Sequence, residues 1–141
     1  MVKNSVNLDL ARVLVVDDDP TARLTLQTVL EAGGYFVDSA ATAAEAVGKL
    51  DRQVYELVLS DLVMESPEAG LKVLAHARNM DYKPATALVT TSKTSDPQDS
   101  SRPVLVEPED VPGLLSKVAN LIARRASRRV ARELRLASVN N

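Results

Sequence analysis

The chain has 141 residues, of which 45% are hydrophobic and 26% are charged, and it contains no cysteine. This length suits one domain with one core, and the lack of cysteine excludes disulfide and thiol chemistry. Because the sequence has neither a run of about 18 apolar residues nor an apolar secretory segment at its start, we expect a cytoplasmic protein without a membrane span.

The net charge of −2 conceals an uneven distribution along the chain. From Lys117 to the C-terminus there are seven basic residues and one acidic residue, Glu133, so this tail is strongly positive. The rest of the chain is correspondingly acidic. An acidic body with a basic tail bears on the partners of the protein rather than on its fold.

Short apolar runs alternate with helical patterns along most of the chain. The predicted strands are Arg12–Val16, Tyr35–Ser39, Leu57–Leu59, Ala85–Val89 and Val104–Val106. In chain order, the predicted helices open at Asp19-Pro20, at Thr42 with its capping-box Glu45, at Gly70 and near Glu109. Gly33-Gly34 stops the first helix, and the third extends to Asn79 with Leu71, Leu74 and Ala75 facing inward.

Alternating strands and helices indicate parallel βαβ units, and continuous apolar strands indicate a sheet that is covered on both faces. The predicted fold class is therefore a doubly wound α/β sheet with five parallel strands. Ligands of such sheets bind at the carboxyl ends of the strands. The polar residues at those ends are consequently the candidates for a functional site.

Acidic and hydroxyl side chains follow several of these strands. Asp17 and Asp18 follow the first strand, Asp61 the third, Thr90 the fourth and Glu107 the fifth. Carboxylates that converge at one edge repel one another unless a cation lies among them, and oxygen ligands without His or Cys suit Mg²⁺. An Asp beside Mg²⁺ can act as a nucleophile toward a phosphoryl group. Each acid taken alone could instead cap a helix or occupy a solvated turn.

Three stretches resemble motifs of the receiver domains of two-component response regulators. Val13-Leu14-Val15-Val16-Asp17-Asp18-Asp19-Pro20 looks like the first strand of the family, with its pair of acids. Leu57-Val58-Leu59-Ser60-Asp61-Leu62-Val63-Met64 resembles the strand that carries the phosphorylated Asp, and Ala87-Leu88-Val89-Thr90 resembles the strand with the switch hydroxyl. The resemblance covers residues 11–123, which we predict to be the receiver domain, followed by a basic helical extension over residues 124–141.

The resemblance implies a flavodoxin-like strand order of 2-1-3-4-5, for which receivers are a standard example. It also implies a switch rather than an enzyme, partnered by a histidine kinase or a phosphotransfer protein. In the family's scheme, Asp17, Asp18, Asp61 and the carbonyl of Val63 bind Mg²⁺. Asp61 accepts the phosphoryl group, and the hydroxyl of Thr90 binds a phosphoryl oxygen.

Three features depart from the family pattern. Glu107-Pro108 replaces the Lys-Pro pair whose Lys contacts the phosphoryl group, and we expect this peptide bond to keep the family's cis form. The loop after Asp61 is about one residue longer than usual. Thr91–Arg102 contains no apolar side chain other than proline, so we predict a loop in place of the helix between strands four and five.

These departures leave three functions open. The first is a phosphoacceptor signalling domain, and the second is a pseudo-receiver that works through protein contacts without phosphorylation, as Glu107 suggests. The third is a phosphatase, because Asp17-Asp18-Asp19-Pro20-Thr21 also resembles the Asp-x-Asp-x-Thr motif of haloacid-dehalogenase-like enzymes.

The last helix carries apolar residues four apart: Leu114, Val118, Ile122, Ala126, Val130 and Leu134. We expect its first half to pack on the sheet and the part beyond Ala123 to extend past the body. This extension could form a homodimer, dock on an acidic protein or remain solvated. Nucleic-acid binding is less favoured because no recognition-helix unit follows and aromatic residues are scarce.

Overall fold

The computed structural model describes residues 11–61, 64, 66, 68–89, 104–106 and 111–139, with the backbone alone at 104–106 and 138–139. Its strands are β1 (Arg12–Val16), β2 (Phe36–Ala40), β3 (Leu57–Asp61), β4 (Ala85–Val89) and β5 (Val104–Val106). Its helices are α1 (Pro20–Ala32), α2 (Ala43–Arg52), α3 (Ala69–Arg78) and α4 (Val111–Val139). All strand pairs are parallel, in the order β2-β1-β3-β4-β5, which confirms the predicted doubly wound sheet.

Each face of the sheet has its own hydrophobic core, because successive side chains of a strand point to opposite faces. In β1, Leu14 and Val16 belong to a cluster with residues of α2 and α3. Val13 and Val15 belong to a second cluster with residues of α1 and α4. The two layers of helices leave the carboxyl edge of the sheet for polar side chains.

The ends of α1 and the start of α2 follow the chemistry that the sequence predicts. Asp19 caps α1 by accepting a hydrogen bond from the backbone N–H of Thr21 at 3.0 Å. Thr42 caps α2 by accepting from the N–H of Glu45, while the Glu45 carboxylate accepts from the N–H of Ala41 and has a lowered pKa for that reason. Gly34 follows α1 with a φ of 100°, a conformation that favours glycine.

The prediction for the inward face of α3 was partly wrong. Leu71 is 49% exposed and Ala75 is also exposed, whereas Val73, Leu74 and Ala77 are buried. The helix is rotated about its axis relative to the prediction because Gly70 must face the backbone of Asp61, where a side chain would not fit. That contact fixes the phase of α3 against the sheet.

The last helix begins by packing on the sheet and ends in solvent. Leu114 and Val118 are buried, while Val130 and Leu134 are 55% and 66% exposed. Arg125 still contacts the body, which it reaches through the backbone between α3 and β4. Among the described residues, no helix combines the length and the hydropathy needed to span a membrane.

Two predictions concern residues outside the described part of the chain. One is the loop at Thr91–Arg102 in place of a helix, and the other is the cis peptide bond between Glu107 and Pro108. The division between residues 11–123 and 124–141 also stays a prediction.

Candidate functional site

Three carboxylates meet at the carboxyl edge of the sheet. In the register of β1 and β3, Val16 lies beside Ser60, so the residues that follow them, Asp17 and Asp61, emerge side by side. Asp18 joins them, and one carboxylate oxygen from each of the three residues lies within 4.8 Å of the others. The structure thus brings together the three acids that the sequence predicts to share a site.

Asp17 is the most buried of the three acids, with only 4% of its surface exposed. Burial raises the pKa of its carboxyl group, and the nearby charges of Asp18 and Asp19 raise it further. Hydrogen bonds from the backbone N–H of Asp19 and with the carboxyl group of Asp61 oppose that rise. Ionisation of Asp17 is therefore less favourable in the folded chain than in water.

Hydrogen bonds fix the backbone around Asp17. Its N–H donates to the carbonyl of Ala40 at 3.0 Å, which continues the pairing of β1 with β2. The guanidinium group of Arg23 donates to the carbonyl of Asp17 at 2.8 Å and ties α1 to the end of β1. The acidic loop is therefore anchored on two sides before any ligand binds.

The adjacent acids have different roles. Asp18 is exposed, and its carboxylate completes the three-residue cluster. Asp19 caps α1, which is the structural role that acids after a strand commonly have. Asp18 is thus the acid at this site that solvent and a partner can reach most readily.

The end of β3 is packed tightly against the start of α3. A Cβ atom at Gly70 would lie 2.3 Å from the carbonyl oxygen of Asp61, a distance that real Cβ atoms do not tolerate. Ser60 is fully buried, and its hydroxyl donates to the carbonyl of Asp61 at 3.4 Å and lies 3.5 Å from the sulfur of Met64. These contacts set the position of Asp61 relative to the start of α3.

Sequence reasoning identified the acids but missed the residues that position them. Arg23 resembles any exposed helical arginine until its partner is known. Gly70 could have been recognised, because glycine in the first turn of a helix costs stability relative to alanine and often marks a close approach of backbone.

Three other predicted site residues, Val63, Thr90 and Glu107, lie outside the described residues. Their assignments stay predictions. Chemically, the described cluster offers hard oxygen ligands at one point, together with a carboxylate at the end of β3 that is partly open to solvent.

The fold and the site define the class of doubly wound α/β domains whose ligands bind at the carboxyl ends of the strands. Within that class, residues 13–103 match the response regulator receiver domain family. Because this match covers more than half of the chain, the protein belongs to that family and is a signal-receiving domain of the two-component type.

Relatives and solved structures agree with this family. The chain is 34% identical to the response regulator Rre1 of Synechocystis over 119 residues, which are 79% of this chain and 52% of Rre1. It is also 34% identical over 94 residues to the gliding motility regulatory protein of Myxococcus xanthus, covering 64% of this chain and 12% of that protein. The chain thus spans about half or less of these relatives.

A solved structure of the response regulator protein TrrA from Thermotoga maritima, in complex with Mg²⁺-BeF, is similar to this chain. The TM-score is 0.68 and the identity is 30%, covering 79% of this chain and 99% of TrrA. A second structure holds TrrA in complex with the histidine kinase ThkA, at a TM-score of 0.66, 30% identity and coverage of 79% and 98%.

Proposed function

We propose that this chain is a phosphoacceptor switch, in which Asp61 receives a phosphoryl group and Asp17, Asp18 and Asp61 hold Mg²⁺. The observation that carries the proposal is the meeting of three carboxylates within 4.8 Å at the carboxyl ends of β1 and β3. The similarity to TrrA, whose structure contains Mg²⁺-BeF, supports the same assignment.

The geometry and the chemistry of the cluster fit Mg²⁺. Oxygen atoms bound to one Mg²⁺ at about 2.1 Å lie at most about 4.2 Å apart, so the carboxylates need only small movements to share the ion. The raised pKa of Asp17 supports the same conclusion, because a cation would offset the cost of ionising a buried acid. The resemblance adds the carbonyl of Val63 as a further oxygen ligand.

The proposed reaction transfers a phosphoryl group to the side chain of Asp61. A carboxylate oxygen of Asp61 attacks phosphorus and forms a P–O bond as the bond from phosphorus to the donor breaks. The bonding electrons leave with the donor atom, a nitrogen in the case of phosphohistidine, which takes up a proton. Mg²⁺ supplies positive charge toward the phosphoryl oxygens when it is bound. Asp17 and Asp18 hold that charge in place, and the hydroxyl of Thr90 donates to a phosphoryl oxygen.

A histidine kinase or a phosphotransfer protein is the proposed donor. The complex of TrrA with the kinase ThkA supports this choice. The exposed position of Asp18 and the partial exposure of Asp61 leave the carboxyl edge of the sheet accessible from solvent. The donor can therefore approach from the side on which the three acids lie.

Glu107 favours a second candidate, a pseudo-receiver that signals through protein contacts without phosphorylation. In the family, the lysine at this position balances the negative charge of the phosphorylated site. A unit charge about 6 Å from the phosphoryl group contributes roughly 3 kcal/mol at an effective dielectric constant of 20. Replacing Lys by Glu removes that attraction and adds a repulsion of similar size, so we expect phosphorylation of Asp61 to be weak.

The two candidate functions are distinguished by incubating the protein with fixed concentrations of Mg²⁺ and a small phosphodonor. Intact mass measurement then gives the fraction of the protein that carries a phosphoryl label. A phosphoacceptor gives partial labelling of the wild type, more labelling of Glu107→Lys and none of Asp61→Asn. A pseudo-receiver gives no labelling of the wild type, and its partner binding survives Asp61→Asn. Equal labelling of the wild type and Glu107→Lys would show that Glu107 does not act on the phosphoryl group.

A further inference from the structure

A groove lined by basic side chains lies at the edge of the sheet opposite the carboxylates. It contains Ala85, the first residue of β4, and its walls come from the connection between α3 and β4 and from α4. Because β4 runs parallel to β3, this edge is about one strand length, roughly 15 Å, from Asp61. We call it the basic groove, and the chemistry proposed for Asp61 does not use it.

The basic groove consists of two adjoining cavities that share Lys83 and Arg128. The first cavity has a volume of about 460 Å³, and the charged residues in the described part of its lining are the four cations Arg78, Lys83, Arg124 and Arg128. The second has a volume of about 380 Å³ and includes the apolar surfaces of Tyr82 and Leu136. Both volumes fall within the range of about 300–1,000 Å³ typical of small-molecule sites.

Hydrogen bonds hold the two walls of the groove together. Arg125, only 7% exposed, donates from Nε to the carbonyl of Lys83 at 3.0 Å and from Nη2 to the carbonyl of Tyr82 at 2.7 Å. Lys83 has a φ of 46°, uncommon for a residue with a side chain, and its ammonium group donates to the carbonyl of Arg78 at 2.9 Å. The cations therefore line a groove that is half open to solvent, between α4 and the connection from α3 to β4.

Among the residues that the structure describes, no acid lines the first cavity to balance its four cations. Asp81 and Glu133 line the second cavity, and Glu133 lies 3.6 Å from Arg129 in an ion pair. Four cations around one cavity repel one another, and a bound anion would offset that repulsion. Arginine suits phosphate in particular, because its planar fork can donate two hydrogen bonds to one phosphate group.

We propose that the basic groove binds a small ligand that carries two or more phosphate groups and an aromatic or apolar part, the chemistry of a nucleotide polyphosphate. The phosphates would occupy the cavity with four cations, and the apolar part would lie beside Tyr82 and Leu136. Asp81 and Glu133 interrupt the basic surface that a nucleic-acid strand would follow, which favours a compact ligand over a polymer.

The test is calorimetric titration of the full chain with ATP and with pyrophosphate, at physiological ionic strength. Omitting Mg²⁺ and adding a chelator keeps metal–nucleotide complexes away from the three carboxylates. We expect ATP to bind, and Arg124→Ala together with Arg128→Ala to weaken binding by roughly tenfold per arginine, as for a charged hydrogen bond. The matched control is Arg135→Ala, on the same helix but outside both cavities, which should change the affinity less than about twofold.

Two further variants separate the parts of the site. Leu136→Ala should weaken ATP more than pyrophosphate, because only ATP carries a group for the apolar cavity. Asp61→Asn should leave ATP binding unchanged, so failure of the proposed phosphorylation would not affect this test. Circular dichroism checks the fold, and Arg78→Ala replaces the double variant if that one unfolds.

Three results would overturn the proposal. The first is no heat of binding with ATP at millimolar concentration, and the second is an equal loss of affinity in Arg135→Ala and in the double variant. The third is tighter binding of a single-stranded RNA than of ATP, with the steep salt dependence of counterion release, which would indicate a polymer site.

Discussion

The buried carboxyl group of Asp17 carries an electrostatic cost in the folded chain. Burial raises its pKa above the ordinary value of 3.8, so ionisation of this group opposes folding. The cost is present in full above the raised pKa, where the group is ionised in both the folded and the unfolded chain. It disappears below about 3.8, where both are protonated.

We therefore predict that Asp17→Asn stabilises the folded chain at neutral pH when Mg²⁺ is absent. Asparagine keeps the oxygen that accepts from the N–H of Asp19 and removes the charge. The gain in the free energy of unfolding should fade as the pH approaches 3.8. The measurement is urea unfolding of both proteins between neutral pH and pH 3.8, with a chelator present. A gain in the free energy of unfolding that does not change with pH would show that the charge of Asp17 is not its cause.

We predict that Mg²⁺ makes the wild type more stable than Asp17→Asn, which reverses their order of stability in its absence. At a concentration of about 100 times its dissociation constant, a ligand that binds only the folded state stabilises it by roughly 2.7 kcal/mol. Asp17→Asn should gain much less, because it lacks one of the three carboxylates. Equal stabilisation of both proteins by Mg²⁺ would show that Asp17 is not a ligand.

Gly70 provides a steric test of the packing beneath Asp61. Gly70→Ala places a Cβ atom 2.3 Å from the Asp61 carbonyl oxygen, so we predict a loss of about 1–3 kcal/mol in urea unfolding. The matched control is Gly48→Ala inside α2, where the nearest atom lies at 3.7 Å. This control should gain roughly 0.5–1 kcal/mol, because alanine is the better helix former. A neutral result at Gly70 would mean that α3 is not seated against β3.

At the scale of whole elements, one buried side chain attaches the second half of α4 to the body. Arg125→Ala would remove two hydrogen bonds and leave the carbonyls of Tyr82 and Lys83 without that donor. We predict a loss of about 1–3 kcal/mol in the free energy of unfolding. Arg129→Ala, which removes an exposed ion pair with Glu133, should change it by less than about 0.5 kcal/mol. Similar effects of the two substitutions would mean that α4 is not anchored at Arg125.

The segment between β4 and β5 allows a prediction from sequence alone. Because Thr91–Arg102 has no apolar side chain other than proline, it cannot bury a helical face. Its amides should therefore exchange with solvent much faster than those of β4 in native-state hydrogen exchange. Strong protection of several consecutive amides would show that a regular helix forms there.

Some features of the strands and helices could be predicted from the sequence, and others could not. The bounds of β1, β4 and β5 could be predicted because short apolar runs between polar residues leave little choice of register. The face of α3 could not, since Leu71 and Ala75 fit a helical stripe as well as Val73 and Ala77 do. The tight approach of Gly70 to the end of β3 determines how α3 is rotated about its axis, and that contact depends on tertiary structure.

For the molecule as a whole, the acidic residues of the site could be predicted from the sequence, but the residues that hold the site and α4 in place could not. Strand order and parallel direction place Asp17 and Asp61 side by side, so their meeting follows from topology. The contact of Arg23 with the carbonyl of Asp17 and the anchoring of α4 by Arg125 depend on distances that no periodicity encodes. The acidic cluster and the basic groove lie at opposite ends of the parallel strands.

We propose above that Asp61, held beside Asp17 and Asp18, accepts a phosphoryl group in the presence of Mg²⁺. The most direct measurement is peptide mapping by mass spectrometry after incubation with Mg²⁺ and a small phosphodonor. We predict one phosphoryl group on the peptide that contains Asp61, and none when Mg²⁺ is chelated or when Asp61→Asn is used. Phosphorylation of another residue, or phosphorylation that persists in Asp61→Asn, would show that Asp61 is not the acceptor.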